Sequence, residues 1–181
     1  MQRDLTKRLK SLPDLSFYPE NHLVRHALSN PIAFGQQAKA EISDLIDIAD
    51  LSLQRFDDAS ERLGQELESE NPWHRYWAAT VCSTFGEQAS GLAARVRPLL
   101  KDENLMVRLR ACEFLGLIHA EDPFPGFSSI LQISDDPVVN SLVLNSWVFF
   151  RDHTDEYQAE FVDRMKVKND EVKRRVEYLS R

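Results

Sequence analysis

Glycine, cysteine, positive charge and long apolar runs are all scarce in this chain, and each scarcity removes a class of protein. With 6 Gly in 181 residues, there is neither a collagen-like period nor a glycine-rich loop to cradle phosphates. The two cysteines, Cys82 and Cys112, have neither metal-ligand nor redox spacing and fall inside apolar helical stretches, so they read as buried free thiols. No apolar run approaches the roughly 18 residues of a membrane span. The N-terminus lacks the charged start, apolar run and small-residue cleavage site of an export signal. The expectation, if Met1 is a natural start, is a soluble chain without a signal, its compartment left open.

Lys and Arg number 22 against 29 Asp and Glu, a net charge of -7. That balance disfavours nucleic acid, because affinity for phosphate backbones grows with cationic contacts. Arg164, Lys166, Lys168, Lys173, Arg174 and Arg175 do gather near the C-terminus, where they read as the solvated face of a helix.

What is present is a globular composition, 43% hydrophobic and 28% charged, in a chain long enough for one continuous core. It is also repetitive. Asn71-Pro-Trp-His-Arg, Asn104-Leu-Met-Val-Arg, Asp136-Pro-Val-Val-Asn and Asn169-Asp-Glu-Val-Lys begin 33, 32 and 33 residues apart. Each opens on an Asn or Asp that can accept from the free amides of a helix's first turn, and two place Pro at the first helical position. Behind the second start, Val107, Ala111, Phe114, Leu115 and Ile118 follow helical spacing. The intervals hold a second helix per unit, marked by Ala59, Leu63 and Leu67, then Leu92, Val96 and Leu99, then Phe127, Ile130 and Leu131, then Tyr157, Phe161 and Met165. A helix pair of this size cannot close a core alone, so the pairs must stack.

Small residues recur where helices would approach closely: Ala78 and Ala79 are answered by Ala111 and Cys112. Four residues after each start stands a polar residue on a core-facing helix: Arg75, Arg108, Asn140 and Lys173. The pattern resembles HEAT-type repeats, and the resemblance implies that Arg75 and Arg108 join a polar ladder between units, with Asn140 departing from it. The expected fold is all-α: a HEAT-like α-solenoid, or α-α superhelix, of stacked helix pairs with an N-terminal helical cap. Residues 1–54 form that cap, with an extended Pro-rich connector at Asp14–Pro19, one helix from Glu20 to Ser29, and a longer helix that starts at Asn30-Pro31, carries Ile42, Leu45, Ile46 and Ala49 on one side and ends near Leu53. Residues 55–181 form four helix pairs in one continuous domain.

A search for chemistry yields little. His22 and His26 stand four apart, but no Cys or carboxylate completes an evident ligand set. No His is followed by Glu, which removes the di-iron hydroxylases built on HEAT repeats. No Gly-x-Ser-x-Gly elbow occurs, and the acidic doublets Asp57-Asp58 and Asp135-Asp136 read as helix-start residues. No cofactor, metal or catalytic residue is expected. The most unusual cluster is Trp73, His74, Arg75, Tyr76 and Trp77, read as core or interface packing, with a sugar-stacking platform as the alternative. Phe17 and Tyr18, between two prolines, either fold back on the cap or meet a partner surface.

Three stretches, Leu12-Pro-Asp-Leu-Ser-Phe-Tyr-Pro-Glu20, Asn30-Pro-Ile-Ala-Phe-Gly-Gln-Gln37 and Asn71-Pro-Trp-His-Arg-Tyr-Trp-Ala78, resemble the C-terminal helical-repeat region of bacterial formylglycine-dependent sulfatases. The catalytic Cys-or-Ser-x-Pro-x-Arg signature of that family is absent, since Cys82 is followed by Ser-Thr-Phe-Gly. The resemblance therefore implies a non-catalytic accessory module that packs on a sulfatase catalytic domain, periplasmic or extracellular if that enzyme is exported. Phe17, Tyr18, Trp73, His74, Tyr76 and Trp77 are its candidate interface. The rival reading is a free-standing HEAT scaffold binding another protein through its concave face. A lyase or glycosylase on the same repeats is the weaker third.

Overall fold

The computed structural model describes residues 39–153 together with Arg174, and every element among them is helical. The segments around Phe17 and Tyr18, the helix expected at 20–29, the Asn30-Pro31 start, the Tyr157–Met165 stripe and the Asn169 start lie outside the described residues. Helix α1 (Lys39–Ala49) runs into a 3-10 turn at Asp50–Leu53. Next come α2 (Phe56–Glu66), α3 (Pro72–Phe85), α4 (Ala93–Val96), α5 (Leu105–Leu117), α6 (Pro123–Ile133) and α7 (Pro137–His153). In the first row α1 packs on α3, α3 on α5 and α5 on α7, while α2, the 86–101 stretch and α6 pack behind them. This is the all-α, HEAT-like stack that the repeat spacing predicts.

The three predicted starts among the described residues are helix caps. The Asn71 side chain accepts from the Trp73 amide at 2.9 Å, Asn104 from Met106 at 2.9 Å, and Asp136 from Val138 at 2.7 Å. Asp122 caps α6 in the same way through Phe124 at 2.9 Å. Each removes an orphan donor from a first turn. Asp57 and Asp58 lie instead in the first turn of α2, where their charge favours the positive helix end, and the cap position is Arg55.

The core follows the predicted stripes: Ala59, Leu63, Leu67, Val96, Leu99, Val107, Ala111, Phe114, Leu115, Phe127, Ile130 and Leu131 are buried. Two details differ from expectation. In α1 the buried side is Leu45 and Ile48, while Ile46 is 50% exposed. The stretch expected as one helix through Leu92, Val96 and Leu99 is broken into 3-10 turns at Gly86–Leu92 and Arg97–Lys101 around the single turn of α4. Gly86, at φ 55, ends α3 in a conformation that costs other residues. Pro98 removes an amide from the helical ladder.

Small residues set the spacing of the rows. Ala78, Ala79 and Ala111 are fully buried between helices. A Cβ on Gly126 would stand 2.3 Å from Cys112 Sγ, and one on Gly116 2.8 Å from the Phe150 ring. These glycines let α6 and α7 close on α5.

Candidate functional site

The aromatic turn lies at the start of α3, fixed by the Asn71 cap and by Pro72 at the first helical position. Helical spacing turns Trp73 and Tyr76 inward, where they are 8% and 9% exposed; His74, Arg75 and Trp77 are half-buried. The rings meet edge to face, Trp73 to Tyr76 at 5.7 Å and Tyr76 to Trp77 at 5.5 Å between centroids. The accessible part of this candidate interface is therefore His74 and Trp77. Its other predicted members, Phe17 and Tyr18, lie outside the described residues.

His74 is held between two carboxylates. Its Nδ1 is 2.8 Å from Glu66 Oε2 and its Nε2 is 3.1 Å from Asp44 Oδ2. Arg62 reaches the same two carboxylates, at 3.5 Å to Glu66 and 3.9 Å to Asp44. The cluster ties α1, α2 and α3 together. Among the described residues no three His, Cys, Asp or Glu side chains gather in an arrangement that could hold a metal ion.

Arg75 sits in a different network. Its guanidinium grips the Asp102 carboxylate with Nε at 2.7 Å and Nη2 at 3.0 Å, and its Nη1 donates to the carbonyls of Ser69 at 2.7 Å and Glu70 at 3.0 Å. Arg108 donates from Nε to the Asp102 carbonyl, and Asn140 donates from Nδ2 to the Ser134 carbonyl at 3.3 Å. So at the three described starts the residue four after the start reaches the carbonyl two before it. The side chain at that earlier position closes the turn from the other side: Ser69 accepts from the Asn71 amide at 3.2 Å, Asp102 from Asn104 at 2.9 Å and Ser134 from Asp136 at 3.2 Å. Three successive turns, each joining the two helices of a pair, share one polar lock. Sequence reading passes over Ser69, Asp102 and Ser134, because a small polar residue before a cap looks like any loop residue. The available signal is their constant offset of two from the starts.

A second polar line crosses the first row. The Arg110 guanidinium stands 5.1 Å from the centre of the Tyr76 ring and pairs with Glu113, which also accepts from the Ser146 hydroxyl. Burial works against the Arg110 charge, but Glu113 and Tyr76 outweigh it and hold the guanidinium's pKa above its ordinary value. Beside this line, Glu113, Leu117, Asn145, Ser146, Phe149 and Phe150 border an open groove of about 330 Å³. Burial pushes the Cys82 and Cys112 thiols up to about 12, which leaves almost no thiolate for nucleophilic chemistry. The charged groups around the aromatic turn are spent on joining repeats.

Residues 60–146, from α2 into α7, match the family model of HEAT repeats. No curated protein and no solved structure matches the chain. No helix among the described residues is long and apolar enough to cross a membrane.

Proposed function

We propose that this chain is a non-catalytic helical-repeat scaffold that binds a protein partner. The observation that supports the reading is the use of His74, Arg75, Arg110 and Glu113 as internal fasteners within a stack of HEAT repeats. Such a stack offers a continuous rigid surface, and HEAT repeats commonly serve that purpose. Photo-crosslinking amino acids placed singly at the exposed positions Ile46, Leu53 and Ile133 in the full chain test it. At least one position should give a discrete protein adduct that excess unlabelled chain suppresses. No suppressible adduct at any of them would count against a scaffold.

The finer reading is that the partner is a sulfatase catalytic domain. It is supported by the three sequence stretches that resemble the repeat region of formylglycine-dependent sulfatases, and it makes Phe17, Tyr18, His74 and Trp77 the docking strip. Aromatic anchors of this kind contribute roughly 2 kcal/mol or more each when truncated. Calorimetry with such a catalytic domain should give binding that weakens on Phe17→Ala with Tyr18→Ala. Absence of binding by the wild-type chain would remove the sulfatase while leaving the scaffold reading in place.

A further inference from the structure

His74 stands between two acceptors that a neutral ring cannot both satisfy. Glu66 of α2 lies 2.8 Å from Nδ1 and Asp44 of α1 lies 3.1 Å from Nε2. A neutral imidazole has one N–H and one lone pair, so it donates to one carboxylate and turns the lone pair on the other; the imidazolium donates to both. The two contacts are unequal. The Glu66 side chain is 18% exposed and the Asp44 side chain 50%, so release of Asp44 to water costs less. Arg62 comes within 3.5 Å of Glu66, but at 3.9 Å from Asp44 it is beyond hydrogen-bond distance. These three are the charged groups that α1 and α2 turn to the ring. Arg75, its neighbour on α3, is turned to Asp102. On α5, Arg108 bonds its own turn and Arg110 pairs with Glu113. Asp50 and Glu87, in the 3-10 turns that touch α3, are exposed to solvent.

We propose that His74 is a proton-operated latch for α1: the imidazolium holds α1 against α2 and α3 through Asp44, and loss of its proton to solvent lets α1 open. The neutral ring keeps its proton on Nδ1, towards the shorter and less exposed contact with Glu66. The bare Nε2 then opposes the Asp44 carboxylate, and that contact is lost. Within α1 the buried residues are Leu45 and Ile48, so one charged contact is a large share of what holds this helix. The latch is closed on the acid side of the ordinary histidine range, about pH 6.5, and opens as pH rises beyond it. Opening uncovers the part of α3 on which α1 packs, so one end of the described stack becomes accessible on the alkaline side.

The test is hydrogen exchange of the full chain at about pH 6 and about pH 8, either side of the histidine range. Protection of the α1 amides is corrected for the pH dependence of intrinsic exchange and read against α5 as an internal reference. It should fall by at least about threefold on the alkaline side, through local opening that leaves α5 unchanged. His74→Gln has no proton to lose in this range and should show equal protection of α1 at both pH values. Asp44→Asn should do the same, because its amide donates to a bare Nε2 and accepts from a protonated one. Wild-type protection that does not change with pH would overturn the proposal. So would a fall of the same size in His74→Gln, or one shared by α5.

Discussion

The junction between the Asn71 and Asn104 repeats and the junction between the Asn104 and Asp136 repeats share one backbone turn but are fastened differently. At the first, Arg75 bonds its own turn and also grips Asp102 of the next, a carboxylate whose side chain is 5% exposed. At the second, Arg108 bonds its own turn, and the place of Asp102 is taken by Ser134, which has no charge to offer. Aromatic packing holds this region instead. Phe127 meets Phe124, Trp147 and Phe150 with centroids 6.2, 6.4 and 5.8 Å apart. The repeat therefore dictates the lock within each turn, while the link between turns is free to be ionic or apolar.

The largest effect is expected at the apolar junction. Phe127→Ala removes a fully buried ring at the centre of the cluster and should lower stability by about 3 to 5 kcal/mol in chemical denaturation. Next comes the ionic junction, where Asp102→Ala strands the half-buried Arg75 guanidinium and frees the Asn104 amide; a loss of about 3 kcal/mol is expected. Ser134→Ala, the same change at the second junction, should lose about 1 kcal/mol, the worth of one neutral hydrogen bond. Equal losses for the two would erase the distinction between the junctions.

The alkaline limb of the stability curve sharpens the comparison, since Cys82 and Cys112 lie on α3 and α5, the helices joined at the first junction. Burial raises both thiols from 9.0 to about 12 in the folded chain. The folded state therefore keeps protons that the unfolded state gives up, and this contribution is full below pH 9 and is lost as pH climbs towards 12. Denaturation midpoints should fall over that window, and by less in the Cys82→Ala, Cys112→Ala variant. An identical fall in both proteins would assign the limb to other groups. The smallest effect is a gain. His119 ends α5 at φ 54, with Ala120 N bonded to Leu115 O at 2.9 Å, a cap that favours glycine. His119→Gly should raise stability by about 1 kcal/mol.

The parts of this architecture legible in the sequence are those with a period. The caps at Asn71, Asn104 and Asp136 could be read because Asn or Asp followed by Pro or an apolar turn recurs at a fixed interval, and the buried stripes because 3.6-residue spacing survives single exceptions. What escaped reading depends on contacts between turns. Asp102 looks like an ordinary loop acid until Arg75, 27 residues earlier, is placed on it. Glu66 and Asp44 give no hint that they flank His74. Ile46 and Ile48 are equally apolar, and only the angle at which α1 meets α3 decides which is buried. In the 86–101 stretch the apolar spacing was right, but Gly86 and Pro98 outweighed it locally. At the aromatic turn the residues favour core or interface packing over an exposed platform without saying which rings turn inward, and burial of Trp73 and Tyr76 is set by helices distant in sequence.

The most direct test of a shared turn with unequal links is a pair of double-mutant cycles in the full chain, Arg75→Ala with Asp102→Ala and Arg108→Ala with Ser134→Ala, read by denaturation. The expected coupling is about 2 kcal/mol for the first pair and below about 0.5 kcal/mol for the second. Equal couplings, or a first coupling indistinguishable from zero, would contradict the ionic link between the Asn71 and Asn104 repeats.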